Sequence, residues 1–187
     1  PLDFDAEDFR HRVAARGLKL PPFCEETLES KNWLKENVIK FAPFEIGAFM
    51  VYGIHEAACP PTEKIPVQVY AATAFGSEHQ TTKMCLSLIS RLYEDFPTPQ
   101  KILDMGTGSG ILSLAGALLG ASEVLGVEID PDAVAIAGEN IALNHVERIA
   151  SAQYGDLTKG IDFQADVIVA NLMADLVVTL SKDVARH

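Results

Sequence analysis

The chain has 187 residues, of which 48% are hydrophobic and 22% charged, and its formal net charge at neutral pH is -11. This composition is typical of one globular core, and no apolar run approaches the roughly 20 residues that a membrane-spanning helix needs. The 15 Lys and Arg residues are outnumbered by 26 Asp and Glu residues. Because the basic residues do not cluster, direct binding of nucleic acid is disfavoured.

Cysteine usage and the first residues indicate the cellular compartment. The three cysteines, Cys24, Cys59 and Cys85, are widely spaced, which favours free thiols over a disulfide scaffold or a zinc site. The opening residues P-L-D-F-D-A-E-D are acidic, whereas a secretory signal peptide has a basic and then an apolar segment. We therefore expect a cytoplasmic protein.

The first 31 residues look like an attachment to the rest of the chain. A helix is predicted over Ala6–Ala15 with Gly17 as its stop, and the Pro21-Pro22 pair breaks any regular element after it. We interpret residues 1–31 as the remnant of a larger N-terminal domain or as a linker. Residues 32–187 are then a second domain.

Residues 33–95 predict a mixture of helices and strands. Trp33–Phe41 is compatible with a short helix, and Ala48–Tyr52 and Ile65–Ala71 are apolar and β-branched or aromatic enough to be strands. A polar turn, Ala74–Thr82, leads into a helix whose core-facing side is predicted from apolar residues at helical spacing. These residues are Met84, Cys85, Leu88, Ile89 and Leu92.

After Pro99 strands alternate with helices, which predicts a parallel α/β sheet with right-handed crossovers. The predicted strands are Ile102–Met105, Val124–Ile129, Ile149–Tyr154 and Asp166–Ala170. Helices are predicted at Ile111–Leu119, from Pro131 onward and from about Ala174. Asp130 is predicted to cap the second of these helices, with proline at its first position. One side of that helix is formed by Ala133, Ile136, Ala137 and Asn140. The apolar character of Asp166–Ala170 predicts a strand buried on both faces. Sheets of this kind usually have about six strands or more, so we expect the chain to be part of a longer protein.

A glycine loop follows the strand that ends at Asp104. Its sequence is Gly106-Thr107-Gly108-Ser109-Gly110, and the order strand, glycine loop, helix brings backbone amides to a ligand at the helix N-terminus. The spacing G-x-G-x-G differs from the G-x-G-x-x-G of dinucleotide-binding proteins. We infer that Asp104 and the glycines bind a compact charged group, such as the amino acid half of S-adenosylmethionine. The alternative is a tight turn that binds no ligand.

Two acids lie at the tip of the next strand, about 20 residues beyond the loop. Glu128 ends the strand and is predicted to bind the ribose hydroxyls of the cofactor. Asp130 is better placed to cap the helix that begins at Pro131, and Ile129 offers an apolar edge to the adenine. The alternative reading of an acid at this position is a helix cap alone.

Two polar residues follow the remaining strands. Asp156, beside Gly155, is in a position to accept a hydrogen bond from the adenine amino group, with a simple turn as the equally weighted alternative. Asn171 is predicted to hold a primary amine through its amide oxygen, which fits methyl transfer to nitrogen. Its alternative role is to cap the following helix.

No other constellation points to catalysis or to a metal. His79, Thr81 and Thr82 lie in the polar turn, where such residues are usually solvated or capping. The histidines are too scattered to suggest a metal site, and no spacing suggests a Ser-His-Asp set.

Three stretches resemble class I S-adenosylmethionine-dependent methyltransferases, namely I-L-D-M-G-T-G-S-G-I-L-S-L-A, G-V-E-I-D-P-D-A-V and V-I-V-A-N-L. The upstream A-F-G-S-E-H-Q-T-T is similar to the A-F-G-T-G-x-H-x-T-T block of PrmA-type enzymes, which methylate large-subunit ribosomal protein L11. It is one residue shorter than that block, with Ser77-Glu78 in place of Thr-Gly. The stretch N-W-L-K-E-N around Trp33 resembles the linker of the same family.

The resemblance implies an α/β fold with a Rossmann-like class I methyltransferase sheet, partial because its C-terminal strands are missing, and a short N-terminal extension from a substrate-recognition domain. It implies cofactor contacts at Thr82, Gly106, Glu128 and Asn171. The implied activity is N-methylation of the α-amine and lysine side chains of the ribosomal substrate. The alternatives are methylation of another protein lysine or a small-molecule amine, a degenerate module that only binds, and a dinucleotide oxidoreductase, which the glycine spacing disfavours.

Overall fold

The computed structural model describes residues 5–19, 21–22, 39–71, 79–95, 101–156, 159 and 161–184. The chain divides into two compact units, Pro1–Trp33 and Leu34–His187. None of the helices in these described ranges is long and apolar enough to cross a membrane.

The first unit contains helix α1 (Ala6–Ala15), where the sequence predicts it. Asp5 caps this helix by accepting the backbone N–H groups of Glu7 and Asp8 at 2.9 and 3.1 Å. Gly17 follows the end of the helix with a φ of +67°, as expected for a glycine stop. The helix predicted over Trp33–Phe41 lies outside the described residues except for 39–41, which are not helical.

The second unit contains a small sheet of three strands. These are β1 (Phe44–Ile46), β2 (Phe49–Gly53) and β3 (Ile65–Val69), in that spatial order. β1 runs antiparallel to β2, and β3 runs parallel to β2. β2 and β3 confirm the two predicted strands to within two residues, whereas the three-residue β1 is not predicted from the sequence.

The larger sheet is parallel and contains the four strands that the sequence predicts. They are β4 (Lys101–Met105), β5 (Glu123–Glu128), β6 (Ala150–Tyr154) and β7 (Val167–Ala170). Their spatial order is β6-β5-β4-β7, so the chain moves outward from β4 to β6 and then crosses back to the other side of β4. A ligand crevice forms where the strand order reverses in this way. The expected ligand position is therefore between the carboxyl ends of β4 and β7.

In the part of the second unit that the structure describes, four helices accompany the two sheets. They are α2 (Gln80–Asp95), α3 (Ile111–Leu118), α4 (Pro131–Leu143) and α5 (Ala174–Val184). Asp130 caps α4 as predicted, accepting the N–H of Asp132 at 3.0 Å. The predicted side of α4 is buried, including the polar Asn140.

One apolar cluster joins the two sheets. Phe49 and Val67 of the small sheet, Ile102 and Val124 of the large sheet, and Leu114 of α3 all belong to it and are fully buried. Burial of side chains of this size contributes about 1.5–3 kcal/mol each. The small sheet is therefore an integral part of the second unit.

The helix α2 turns a different face to the core than its apolar pattern predicts. Met84 and Leu88, both predicted to be buried, are 63% and 59% exposed. The prediction of this face is thus wrong at these two positions. The residues of α2 that are buried are Thr82, Leu86, Ile89 and Ser90.

Hydrogen-bonded hydroxyl groups explain why α2 buries a different face from the predicted one. Ser90 accepts the N–H of Ala48 at 3.0 Å and donates to the carbonyl of Leu86 at 2.9 Å, and Thr82 accepts a hydrogen bond from Asn171. A buried hydroxyl is tolerated when it is hydrogen-bonded. Because periodicity analysis counts apolar residues, it misses a core face that includes satisfied polar ones.

The strand β7 is less buried than predicted. All four residues of Val167–Ala170 are half-buried, where the sequence predicts burial on both faces. Within the described residues β7 pairs only with β4 and has no strand on its other side. A continuous apolar run thus identified the strand correctly but not its exposure.

Candidate functional site

The glycine loop turns the chain sharply between β4 and α3. The N–H groups of Gly106 and Thr107 both donate to the carbonyl of Val127 in β5, at 2.9 and 3.1 Å. Gly106 has a φ of +71°, and a Cβ atom on it would lie 2.4 Å from Cδ2 of Leu172. Backbone conformation and the contact with the segment after β7 therefore both favour glycine here.

A buried polar network supports this loop from within the fold. Asp104, at 1% exposure, accepts hydrogen bonds from the hydroxyls of Thr107 and Ser113 at 2.7 and 2.8 Å. Burial raises the pKa of the Asp104 carboxyl, the two hydroxyl donors oppose this shift, and the charge of Glu128 adds to it. Asp104 thus ties the loop to the first turn of α3, and it is not among the residues that line the cavity described below.

Glu128, at the tip of β5, organises the turn into α4. Its Oε2 accepts the N–H of Gly108 at 3.0 Å, and its Oε1 accepts the N–H groups of Ile129 and Asp130 at 2.8 and 3.2 Å. A carboxylate has about four acceptor positions, so three are used and one is left for a hydroxyl donor. This arrangement fits the predicted ribose-binding role.

The end of β7 meets the start of α2. Nδ2 of Asn171 donates to Oγ1 of Thr82 at 3.0 Å, although the two residues are 89 positions apart. Because the amide hydrogens face Thr82, the amide oxygen of Asn171 is oriented away from that contact. An oxygen held in this way is suited to accept a hydrogen bond from an amine.

These segments enclose a cavity of about 530 Å³ at the carboxyl edge of the large sheet. Its volume lies within the ~300–1,000 Å³ that is usual for small-molecule pockets. Five of the predicted site residues line it together, namely Thr82, Gly106, Gly108, Glu128 and Asn171. The cavity lies at the β4–β7 crevice, the ligand position that the strand order indicates.

The remaining predicted site residues lie outside the cavity lining. Gly110 packs on α4, where a Cβ atom would be 3.2 Å from Cβ of Ala137, and Asp104 is buried as described above. Ile129 is 58% exposed. Asp156 forms an ion pair with Lys159, which raises the pKa of Lys159. The ligand contacts of these four residues remain predictions.

Sequence reasoning missed several residues that also line the cavity. The sequence predicts that His79 is solvated or capping, and its Nδ1 does accept the N–H of Thr81 at 3.3 Å. His79 also lines the cavity, as do Ser109, Leu172 and Met173. The signal that would have found them is adjacency, because each lies within three residues of a predicted ligand residue.

Comparisons with known proteins agree with this architecture. The family model described as ribosomal protein L11 methyltransferase (PrmA) matches residues 5–187. A ribosomal protein L11 methyltransferase from Heliobacterium modesticaldum is 38% identical over 161 residues, which cover 84% of this chain and 50% of that protein. One from Pelobacter propionicus is 34% identical over 190 residues, covering 98% of this chain and 61% of that protein.

A solved structure is similar as well. The crystal structure of ribosomal protein L11 methylase from Lactobacillus delbrueckii subsp. bulgaricus superposes with a TM-score of 0.65 at 30% identity, covering 74% of this chain and 69% of that chain. The present chain spans about half the length of the curated relatives, 50% and 61% in the two cases above. The family match over 183 residues confirms the predicted resemblance and the Rossmann-like methyltransferase fold. The chain belongs to the PrmA family of ribosomal protein L11 methyltransferases.

Proposed function

We propose that the chain is the cofactor-binding part of an S-adenosylmethionine-dependent protein N-methyltransferase that methylates amino groups of ribosomal protein L11. The observation that carries this proposal is the cavity in which the glycine loop, Glu128 and the Thr82–Asn171 pair converge. Family membership and the names of the relatives support the ribosomal substrate. The acidic net charge of -11 supports a protein partner over nucleic acid, and such a substrate supports a cytoplasmic location.

The residues present fit S-adenosylmethionine. A Cβ atom on Gly108 would meet no atom within 4 Å, so the loop leaves open space where a ligand group would approach the backbone. Glu128 would hold the ribose through its remaining acceptor position, and Gly106 and Gly108 would border the amino acid half. The carboxylates of Glu128 and Asp130 also line the cavity, which favours a positively charged ligand.

The bound cofactor would supply an electrophilic methyl group on a sulfonium. The part played by this chain is positioning, which suits a reaction that needs two groups held in line. Asn171 would accept an N–H of the substrate amine through its amide oxygen and thereby orient the nitrogen lone pair. Thr82 would in turn hold the Asn171 amide in a single orientation.

Isothermal titration tests the cofactor assignment. S-adenosylmethionine should bind with one site per chain, and NAD should not bind. Binding of NAD alone would contradict the proposal and favour a dinucleotide oxidoreductase.

Transfer of a tritiated methyl group into ribosomal proteins from an undermethylated strain tests the substrate. Label in another protein and none in ribosomal protein L11 would contradict the substrate assignment.

Two substitutions separate amine positioning from cofactor binding. Asn171→Ala should lower the rate of methyl transfer by about 10²-fold with a smaller effect on cofactor affinity, since a displaced amine costs about this much. Glu128→Ala should instead weaken cofactor binding, because it removes the ribose acceptor. Kinetics at saturating cofactor, together with titrations, measure both effects. Unchanged transfer by Asn171→Ala would show that Asn171 is only structural.

A further inference from the structure

Two asparagines at the end of α4 lie against the edge of the small sheet. Asn140 of α4 and Asn144, which directly follows the helix, are one helical turn apart. Gln68 of β3 and Tyr70, which directly follows the strand, are two residues apart. Four helical residues rise about 6 Å and two strand residues span about 6.6 Å. The two side-chain amides therefore match the spacing of the two backbone positions.

Each side-chain amide pairs with both backbone groups of one residue. Asn140 accepts the N–H of Tyr70 at 2.7 Å and donates to its carbonyl at 3.1 Å. Asn144 accepts the N–H of Gln68 at 3.0 Å and donates to its carbonyl at 2.7 Å. Because β3 is the edge strand of its sheet, the two side chains take the place that a further strand would occupy.

The second amide hydrogen distinguishes the two asparagines. Asn140 donates it to the carbonyl of Ser109 in the glycine loop at 2.8 Å, whereas Asn144 donates it to the carbonyl of Asn140 within the helix at 2.8 Å. Asn140 is completely buried, so bulk solvent does not compete for these bonds. Asn144 is consequently a matched control, because its side-chain amide pairs with one backbone position in the same way and donates its second hydrogen within the helix instead of to the loop.

The glycine loop is thus held from two directions. Gly108 and Ser109 line the cavity, and Glu128, which lines it as well, accepts the N–H of Gly108 at 3.0 Å. Asn140 does not line the cavity and holds the Ser109 carbonyl from the interior. The same Asn140 amide is bonded to Tyr70, from which the chain runs on to His79 and the start of α2.

We propose that Asn140 is a positioning residue of the cofactor site, which fixes the glycine loop relative to the end of β3 by donating to the Ser109 carbonyl. The inference rests on the proposed function, since the ligand that the loop would hold is S-adenosylmethionine. Asn140 acts through the loop and touches no reacting atom. Nothing in the glycine motif itself indicates this residue, because it lies 31 positions from Ser109.

The test compares Asn140→Ala with Asn144→Ala in the full chain. Both variants should lower the unfolding temperature, because they leave the backbone groups of Tyr70 and of Gln68, respectively, unpaired. Under conditions where each is fully folded, Asn140→Ala should raise the dissociation constant of S-adenosylmethionine about tenfold and Asn144→Ala less than about twofold. Equal effects of the two variants on the dissociation constant would overturn the proposal.

A second pair of variants tests whether the effect of Asn140→Ala comes from the space left by the smaller side chain or from a failure to fold. Asn140→Leu and Asn144→Leu keep the number of side-chain heavy atoms and the branching at Cγ, and their side chains make no hydrogen bonds. Asn140→Leu should bind the cofactor as weakly as Asn140→Ala. Recovery of wild-type affinity in Asn140→Leu would show that the residue only fills space, and would overturn the proposal.

Amide hydrogen exchange without ligand separates this proposal from the proposed function. The N–H groups of Gly108 and Gly110, which donate to Glu128 and to the Thr107 carbonyl, should exchange faster in Asn140→Ala than in Asn144→Ala. If the wild type does not bind S-adenosylmethionine, the function proposal fails, and the exchange rates still decide whether Asn140 holds the loop. Unchanged exchange in Asn140→Ala would contradict the positioning role.

Discussion

At the scale of single residues, the glycines of the loop differ in what surrounds them. Gly106 and Gly108 both have positive φ values, +71° and +54°. A Cβ atom at Gly106 would lie 2.4 Å from Leu172 Cδ2, whereas one at Gly108 would meet nothing within 4 Å. Gly106 is therefore constrained by a neighbouring side chain as well as by its backbone.

This difference predicts unequal losses of stability. Gly106→Ala and Gly108→Ala should each lose about 1–2 kcal/mol from left-handed backbone strain, and Gly106→Ala about 1 kcal/mol more because Leu172 must move. Urea denaturation measures both values. Gly108→Ala serves as the matched control, and equal losses would show that Leu172 yields without cost.

The buried carboxyl of Asp104 predicts a pH dependence of stability. Its pKa in the folded state is raised above its ordinary value of 3.8, chiefly by burial. As the pH rises above 3.8, the unfolded chain therefore loses this proton first, and the free energy of unfolding falls by up to about 1.4 kcal/mol per pH unit until the folded-state pKa is passed. The stabilising effect of protonated Asp104 is thus present at low pH and lost at higher pH.

The Asp104→Asn variant isolates this effect. Its Oδ1 atom can still accept the hydroxyls of Thr107 and Ser113, and it has no proton to lose. The free energy of unfolding of the wild type minus that of the variant should decrease as the pH increases from 3.8 towards neutrality. Denaturation curves at a series of pH values measure it, and an increase with pH would contradict the raised pKa.

At the scale of elements, the position of α2 depends on polar contacts as much as on apolar ones. Its buried face includes Ser90, whose hydroxyl links the helix to the turn before β2 through the N–H of Ala48. Met84 and Leu88 remain outside. Apolar periodicity located the helix, and hydrogen bonds from another element decided its rotation.

Removal of the Ser90 hydroxyl should loosen this helix. Ser90→Ala leaves the Ala48 N–H without its partner and should lower the free energy of unfolding by about 1–3 kcal/mol. Ser181→Ala is the control, since that hydroxyl donates to the Val178 carbonyl on an exposed helix surface and its loss should change stability by less than about 0.5 kcal/mol. Equal effects in thermal denaturation would mean that the Ala48 contact contributes nothing.

At the scale of the whole molecule, acidic charge is in large excess. The net charge is -11, and the ion pairs Arg12–Asp8, Lys101–Glu123 and Lys159–Asp156 are exposed at the surface. Exposed pairs of this kind contribute little. Repulsion among like charges should therefore dominate the electrostatic free energy of the folded chain.

Salt should consequently stabilise the protein. An increase from 0.01 to 0.15 M NaCl shortens the Debye length from about 30 to about 8 Å, which screens the repulsion and should raise the unfolding temperature. Tetramethylammonium chloride at the same concentration is the control for specific ion binding and should act equally. A lower unfolding temperature in salt would show that attractive pairs dominate.

Part of the site can be predicted from the sequence because its signals are local. The glycine spacing at Gly106–Gly110, the acid Glu128 at the tip of β5 and the Asp130 cap of α4 each depend on a few neighbouring residues. The structure places Gly106, Gly108 and Glu128 at the cavity and Asp130 at the start of α4, whereas Gly110 packs on α4. Strand and helix bounds follow from side-chain periodicity over similarly short distances. These features are determined by short-range sterics and hydrogen bonding within a single segment.

Only the tertiary structure decided which distant groups meet. The Thr82–Asn171 pair joins residues 89 positions apart. Asn140 bonds both to the glycine loop and to Tyr70, which lies 70 positions before Asn140 in the chain. The strand order β6-β5-β4-β7 brings these segments to one edge, and it is set by the packing of two sheets on a common core. Periodicity within a segment carries no information about that order, because the free energy that selects it comes from contacts between segments.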